Sequence, residues 1–234
     1  MPTTIRKLKM TFEGTFETIA DFASNDWEAF INNLQALVDK YRASRKENNL
    51  QSQYSGKRGL MVVAALSSRQ RSAKRVDGQI IPDYLAMAGS HNLGLPFLAA
   101  NAPKNLGLMK AEPKAMQQVA QILLDFGDSH GLHDDDEICS RWAAAAELGT
   151  PEYQEMLDVN GVGPALIQYL RMLCGADTIK IDGQVKKSLK SLGLNVECFS
   201  DIGIYHLCVA VSRKLSFQLF DLDQALWFES SQNS

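Results

Sequence analysis

Long hydrophobic runs are missing from this sequence, and so is any close pair of cysteines. The longest apolar stretches, such as 60–66 and 143–146, are far shorter than the roughly 20 residues that a membrane-spanning helix needs. The first twelve residues include basic ones, but no apolar block follows them, as it would in a secretory signal. We therefore expect a chain without a membrane segment that stays in the cytoplasm.

No metal-binding spacing is present either. His130 and His133 stand beside the acidic run 134–137, but this run is better explained as the start of a helix than as a ligand set. We expect no metal site, and we expect free thiols in a reducing compartment because the cysteines form neither a CxxC pair nor a zinc-finger spacing. The four cysteines are Cys139, Cys174, Cys198 and Cys208.

An excess of positive charge is also absent. The chain has 24 Lys and Arg residues against 27 Asp and Glu residues, which gives a net charge of −3. This balance argues against a protein that coats nucleic acid. The basic residues are nevertheless clustered, mainly within 57–75 and 180–190. Such clusters are commonly solvated helix faces, and a nucleic-acid surface is the alternative.

Patterns typical of strands are almost absent, and apolar residues recur at helical spacing, so we predict an all-α protein. The stretch 27–41 is amphipathic, and 60–66 is apolar on every side, which predicts a buried helix. We predict an exposed connection at 42–59, loops at 92–107, and a helix from Pro113 that ends near Gly127. Three aromatic residues lie on apolar faces and are predicted to pack in the core: Trp142, Tyr169 and Trp227.

Two predicted helices meet at the turn Asn160-Gly161-Val162-Gly163-Pro164. Thr150 and Pro151 are a typical helix start for the first of them, and Gly175 stands where the second one ends. The backbone amides at the start of the second helix face the turn, where the helix dipole favours an anion. A turn of this kind either binds a phosphate or only joins two packed helices.

An extended segment, 178–181, leads into Asp182, the predicted N-cap of a helix with Val185, Leu189 and Leu192 on its inner face. The dipole and amides of that helix stabilise an ionised carboxylate. Aspartate is also a common N-cap for purely structural reasons. Taken alone, these residues leave a catalytic and a structural role open.

The stretch LDVNGVGPALIQYLRMLCGADTIKIDGQVKKSLKSLGL resembles the signature of the endonuclease III superfamily, the helix-hairpin-helix DNA glycosylases. In that family a GVG-type hairpin precedes a catalytic aspartate. ALSSRQRS resembles the family's buried helix and the following turn, whose glutamine fills the gap left by an extruded base. NLGLMKAEPKAMQQVAQILLD resembles the family's segment before the hairpin, and DLDQALW resembles its closing helix. The resemblance covers roughly 58–227.

The resemblance implies a two-lobed, helical glycosylase fold within a single domain, 1–234. One lobe would span approximately 60–180 and end in the helix-hairpin-helix at 151–175. The second lobe would combine 1–59 with 181–234.

The function implied is that of a DNA glycosylase that binds double-stranded DNA, flips out a damaged or modified base and removes it, with Asp182 as the catalytic carboxylate. We expect a monomer, associated with the nucleoid if the source is bacterial. The implied DNA-binding residues are Gly161, Val162, Gly163, Gln70, Arg69, Arg71, Lys180, Lys186 and Lys187.

The chain departs from the family's pattern at three places. Ala165 stands where bifunctional members have a lysine, so no Schiff-base lyase reaction is expected. The loop Gly175-Ala176-Asp177 lacks the family's proline and is one residue shorter. The terminal four-cysteine cluster is missing, so no iron–sulfur cofactor is expected, whereas a monovalent cation at the hairpin is compatible with the resemblance.

Two alternatives remain at this point. Ala165 and the altered loop are compatible with a catalytically inactive helix-hairpin-helix module that binds DNA or senses lesions. The negative net charge is compatible with a helical protein that makes protein contacts only. A base-sized pocket beside Asp182 would favour an enzyme, and absence of binding to plain duplex DNA at low salt would favour the last alternative.

Overall fold

The chain forms helices joined by turns and loops, and the prediction of an all-α protein is confirmed. A computed structural model describes residues 26–44, 50–69, 71–104 and 106–232. Within these residues there is no strand. The chain divides into two compact units, each with its own hydrophobic core. We call 26–44 with 177–232 the terminal unit, and 50–176 the central unit.

The helices are numbered in chain order through both units. In the described residues they are α1 (Trp27–Ser44), α2 (Leu50–Gln53), α3 (Arg58–Ser67), α4 (Ala73–Arg75), α5 (Ile81–Ala88), α6 (Leu95–Ala100), α7 (Glu112–Ser129), α8 (Asp135–Ala145), α9 (Pro151–Leu157), α10 (Pro164–Leu173), α11 (Gly183–Ser191), α12 (Asp201–Leu215) and α13 (Leu219–Gln232). A π-helical turn, Val76–Ile80, joins α4 to α5, and a 3₁₀ turn, Val196–Cys198, precedes α12. None of the helices in the described part of the chain is both long and apolar enough to cross a membrane.

Helix α3 is the buried centre of the central unit. All of its residues are buried, which confirms the prediction for 60–66, and it packs against α6, α7 and α10. At its start a Cβ on Gly59 would lie only 2.3 Å from the carbonyl oxygen of Gly94. Glycine is therefore needed there, because the two backbones touch.

The stretch 42–59 was predicted to be an exposed connection, and the described part of it is not fully exposed. Tyr54 and Arg58 are both buried. Arg58 donates from Nε to Oδ1 of Asp136 at 2.7 Å and from Nη1 to the carbonyl of Leu173 at 3.1 Å. A charged side chain is buried here because its donors have partners, which sequence composition does not reveal.

One further prediction is corrected, and a second one is confirmed. The stretch 92–107 contains helix α6, whose Leu95 and Leu98 are fully buried. The predicted helix from Pro113 is confirmed as α7, which ends at Ser129, close to Gly127. A Cβ at Gly127 would lie 2.6 Å from Cδ1 of Ile138, so this glycine permits close packing of α7 against α8 and does not end the helix.

The terminal unit is built around α13, which packs against α1, α11 and α12. The predicted apolar stripe of α1 is confirmed, since Phe30, Leu34 and Val38 are buried in this core. Arg42 at the end of α1 donates from Nε to Oδ2 of Asp221 at 2.9 Å. This ion pair fixes α1 to the first turn of α13.

Candidate functional site

The hairpin turn lies between α9 and α10 in the central unit. Gly161 has φ of +90°, and the amide of the buried Val162 donates back to the carbonyl of Val159 at 2.9 Å. Gly163 is the N-cap of α10, and no side chain caps this helix. A Cβ on Gly163 would meet no heavy atom within 4 Å. The backbone at Gly163 is therefore approachable by an anion such as a phosphate. Farther along, Pro164 has no amide hydrogen, and the amides of Leu166 and Ile167 donate to the carbonyl of Gly163.

Both ends of the two-helix motif 151–175 have the predicted capping residues. Thr150 accepts a hydrogen bond from the amide of Tyr153 at 3.3 Å and begins α9. At the other end, Gly175 has φ of 108° and its amide donates to the carbonyl of Met172 at 3.1 Å. These caps confirm the predicted helix start and stop.

Arg69 is the predicted DNA-binding cation that the structure brings to the hairpin. Its Nη1 donates to the carbonyl oxygen of Gly161 at 3.0 Å, and the contact is exposed. A pocket of about 190 Å³ opens beside this contact, with Met109 and Asn160 among its lining residues. Gln70, the predicted gap-filling residue, lies outside the described residues.

Arg71, also predicted to bind DNA, is held inside the central unit by an ion pair. Its Nη1 and Nη2 donate to Oε1 and Oε2 of Glu112, both at 2.8 Å. The two side chains are only 8% and 5% exposed. A bidentate pair of this kind neutralises the guanidinium within the protein.

Asp182 lies in the terminal unit and is the N-cap of α11, as predicted. Its Oδ1 accepts from the amides of Gln184 at 2.9 Å and Val185 at 3.1 Å. Its Oδ2 lies 3.2 Å from Nζ of Lys180. The Asp182 side chain is 27% exposed, so this fixed carboxylate is also open to solvent.

A second carboxyl group beside this pair was missed by the sequence analysis. Asp223 on α13 is buried, and its Oδ1 accepts from the backbone amide of Lys180 at 2.8 Å. Burial raises the pKa of Asp223 to about 7; the Lys180 hydrogen bond lowers this pKa, and the charge of Asp182 raises it further. Helical spacing was the available signal, because Leu219 and Leu226 place Asp223 on the apolar face of α13.

The lysines of α11 differ in their contacts. Lys186 donates from Nζ to Oδ1 of Asp201 at 2.9 Å, and Lys190 donates to Oε1 of Glu197 at 3.0 Å. Lys187 is exposed. Pairs at the surface such as these remain available to exchange partners, because exposed ion pairs are weak.

Trp227 was predicted to pack in the core, and this prediction is wrong. Its side chain is 48% exposed, whereas Trp142 is buried in the core of the central unit. Trp227 lies one helical turn after Asp223, so the two residues are on the same side of α13.

The acidic run at the start of α8 makes structural contacts. Asp134 caps α8 through the amide of Glu137 at 2.9 Å, and Asp135 accepts from the amide of Leu95 at 2.7 Å. Asp136 bonds Arg58, as described above. In the part of the chain that the structure describes, no three His, Cys, Asp or Glu residues are grouped as a metal site.

The structure thus places the predicted residues in two sets. Arg69 and the hairpin glycines are together in the central unit. Lys180 and Asp182 are together in the terminal unit, with Lys186 and Lys187 on the helix that follows. The chain matches no family model and no curated protein. Residue chemistry and the resemblance noted in the sequence are therefore the basis for assigning a function.

Proposed function

We propose that this chain is a DNA N-glycosylase of the helix-hairpin-helix type, which releases a damaged or modified base from duplex DNA by hydrolysis. The observation that carries the proposal is the carboxylate of Asp182, which two backbone amides and the Lys180 ammonium fix while it stays open to solvent. The two-lobed glycosylase fold and the role of 151–175 as the DNA-binding motif are parts of this proposal.

DNA binding is assigned to groups that contact phosphates without reading sequence. We assign phosphate contacts to the amides at Gly161 and Gly163, and to the guanidinium of Arg69, which contacts the hairpin at an exposed position. Lys186 and Lys187 on α11 add positive charge in the terminal unit. Such contacts position the duplex, and their combined affinity falls as salt rises.

Base release is assigned to Asp182. When the bond between base and sugar breaks, positive charge develops on the sugar, and a carboxylate fixed in place stabilises that charge. An ionised carboxylate has about four acceptor sites, so Oδ2 can bind Lys180 and also accept a hydrogen bond from a water molecule. Asp182 would orient this water and take its proton as it attacks the sugar. Because Ala165 offers no amine on the hairpin, water is the nucleophile of this step.

One observation favours the catalytically inactive DNA-binding module. Both oxygens of Asp182 already have partners within the protein, as they would in a structural N-cap. The two functions differ in whether a free base appears in solution.

The experiment is a panel of duplexes that each contain one damaged or modified base, incubated with the full chain. Free base is measured directly by chromatography and mass spectrometry, and the matching unmodified duplex is the control. Release from one modified duplex and not from its control supports the glycosylase. Binding to duplex DNA without release of any base supports the binding module instead.

A further inference from the structure

A buried carboxyl group contacts the segment that carries the Lys180–Asp182 ion pair. Asp223 on α13 is only 7% exposed, and its Oδ1 accepts from the backbone amide of Lys180 at 2.8 Å. Its Oδ2 accepts from Nε2 of Gln224 at 3.0 Å. Both oxygens of Asp223 act as acceptors, which is the arrangement of an ionised carboxylate, because a protonated carboxyl group has a donor in place of one acceptor.

Lys180 has separate contacts with two carboxyl groups. Its backbone amide donates to Asp223, whereas its Nζ lies 3.2 Å from Oδ2 of Asp182. The flanking residues Ile179 and Ile181 are buried in the core of the terminal unit. The hydrogen bond to Asp223 therefore fixes the backbone from which the Lys180 ammonium reaches Asp182.

The charged and titratable groups around Asp223 come from two neighbouring elements. They are Lys180 and Asp182 before α11, and Cys208 on α12. Burial raises the pKa of the Cys208 thiol to about 12, so this thiol stays neutral. Helix α1, which also packs against α13, pairs its Arg42 with Asp221 instead. The charge of Asp182 acts on Asp223, and because this interaction is mutual, ionisation of Asp223 acts on Asp182.

We propose that Asp223 is a positioning residue for the Asp182 carboxylate and acts through Lys180. Ionised Asp223 holds the Lys180 backbone firmly and so keeps the ammonium against Asp182, whereas neutral Asp223 holds this backbone less firmly. The inference rests on the proposed function, because the reaction that it serves is base release at Asp182. Asp223 is buried and needs no contact with DNA for this role.

The proposal predicts how base release depends on pH. Burial raises the pKa of Asp223 to about 7, so Asp223 ionises as pH rises from 6 to 8. A hydrogen bond to a charged acceptor is stronger than one between neutral groups, and the added negative charge stabilises the positive charge that develops on the sugar. We expect the rate of base release by the wild type to rise roughly fivefold over this range.

Single-turnover release from the duplex that the wild type processes, measured from pH 6 to pH 8, tests this with Asp223→Asn. Asparagine keeps an oxygen for the Lys180 amide but does not ionise, so we expect this variant to keep about the wild-type rate of pH 6 throughout. The control is Asp221→Asn, because Asp221 is a buried aspartate of the same helix that pairs with Arg42. We expect the control to keep the rise with pH.

The pH profile separates positioning from a purely structural role. A structural role would lower the rate of Asp223→Asn by the same factor at every pH and leave the shape of its profile unchanged. A rise in Asp223→Asn that matches the wild type, or a flat profile in the wild type, would overturn the proposal.

NMR of the isotopically labelled full chain measures the positioning itself and needs no DNA. The amide proton of Lys180 and the carboxyl carbon of Asp182 are followed against pH. We expect both signals to shift with a midpoint near 7 in the wild type and in Asp221→Asn, and neither to do so in Asp223→Asn. A wild-type Lys180 amide signal that does not change through this range would also overturn the proposal.

Failure of this inference is distinguishable from failure of the glycosylase proposal. Base release with the same pH profile in the wild type and Asp223→Asn removes only the Asp223 proposal. The expected NMR shifts without release of any base from the duplex panel remove only the glycosylase proposal, and Asp223 then still positions Lys180 and Asp182.

Discussion

Two aspartates of the terminal unit contact the same lysine but lie in different environments. Asp182 is partly exposed and pairs with the Lys180 ammonium, whereas Asp223 is buried and binds the Lys180 backbone amide. Burial raises the pKa of Asp223 to about 7. Pairs of carboxyl groups whose environments differ in this way are found at catalytic sites, and also in structural networks.

The raised pKa of Asp223 has a measurable consequence for stability. The folded protein holds this proton more tightly than the unfolded chain, whose carboxyl has a pKa of 3.8. As pH rises from about 4 to about 7, the free energy of unfolding therefore falls, by up to about 4 kcal/mol at 1.36 kcal/mol per pKa unit, and it levels off above that range.

Urea unfolding at pH values from 5 to 8 measures this fall in the free energy of unfolding, and the Asp223→Asn variant is the comparison. Asparagine keeps an oxygen that can accept from the Lys180 amide but does not ionise. We expect the wild type to lose stability relative to Asp223→Asn as pH rises. Curves for the two proteins that run parallel across the range would contradict the raised pKa.

Sequence reasoning identified Asp182 as an N-cap because the signal is local: an extended segment, an aspartate and then an apolar helical face. It assigned no role to Asp223. That residue contacts the amide of Lys180, which is 43 residues away in the sequence. Contacts over such separations depend on how α13 packs, and a single sequence does not contain that information. The exposure of Trp227 was missed for the same reason.

Among the structural elements, the hairpin turn has two glycines, and glycine is needed at the two positions for different reasons. Gly161 has φ of +90°, and a Cβ there would lie 2.6 Å from Nη1 of Arg69. Gly163 has an extended backbone and open space around it. Glycine at 161 is thus needed for the conformation of the turn, whereas glycine at 163 is needed only if a ligand approaches the backbone.

We therefore expect two alanine substitutions to change different properties, one the stability of the protein and the other its binding to DNA. Gly161→Ala lowers the free energy of unfolding by about 1–2 kcal/mol, because a side chain is disfavoured at positive φ. Gly163→Ala leaves stability almost unchanged but weakens binding to duplex DNA, because its Cβ occupies the space where a phosphate would lie. Thermal unfolding and fluorescence anisotropy measure the two effects. A Gly163→Ala protein that binds DNA as tightly as the wild type would argue against a phosphate at this turn.

Long or strongly patterned helices were predicted well, and so was the short α9, which has a clear start at Thr150 and Pro151, but the short α6 was not. Helix α3 was recognised because an unbroken apolar run needs burial on all sides. Helix α6 has six residues, too few to show a period, and it lies within a stretch rich in Gly, Pro and Asn. The end of α7 was predicted only approximately, near Gly127, because a glycine that permits close packing has the same local sequence as one that ends a helix.

For the whole molecule, the net charge of −3 means that overall charge does not attract DNA. Affinity must come from local groups, and each phosphate neutralised by a cation contributes about −0.9 to the slope of log affinity against log salt. If Lys187 neutralises one phosphate, Lys187→Gln should reduce the magnitude of that slope by about 0.9.

The matched control is Lys40→Gln. Lys40 is an exposed residue of α1, outside the predicted DNA-binding set, and its replacement changes the net charge by the same amount. We expect Lys40→Gln to keep the wild-type slope. Equal slopes for both variants would mean that Lys187 contacts no phosphate, and failure of the wild type to bind plain duplex DNA at low salt would favour a protein-contact role for the whole chain.

The single-turnover rate of base release by Asp182→Asn, on the duplex that the wild type processes, tests the central assignment most directly. Asparagine keeps an oxygen for the amides of α11 but lacks the negative charge, so we expect normal folding and DNA binding with release slower by at least about 100-fold. Asp134→Asn, at the N-cap of α8, is the control and should release base at the wild-type rate. Unchanged release by Asp182→Asn would contradict the catalytic role of this carboxylate.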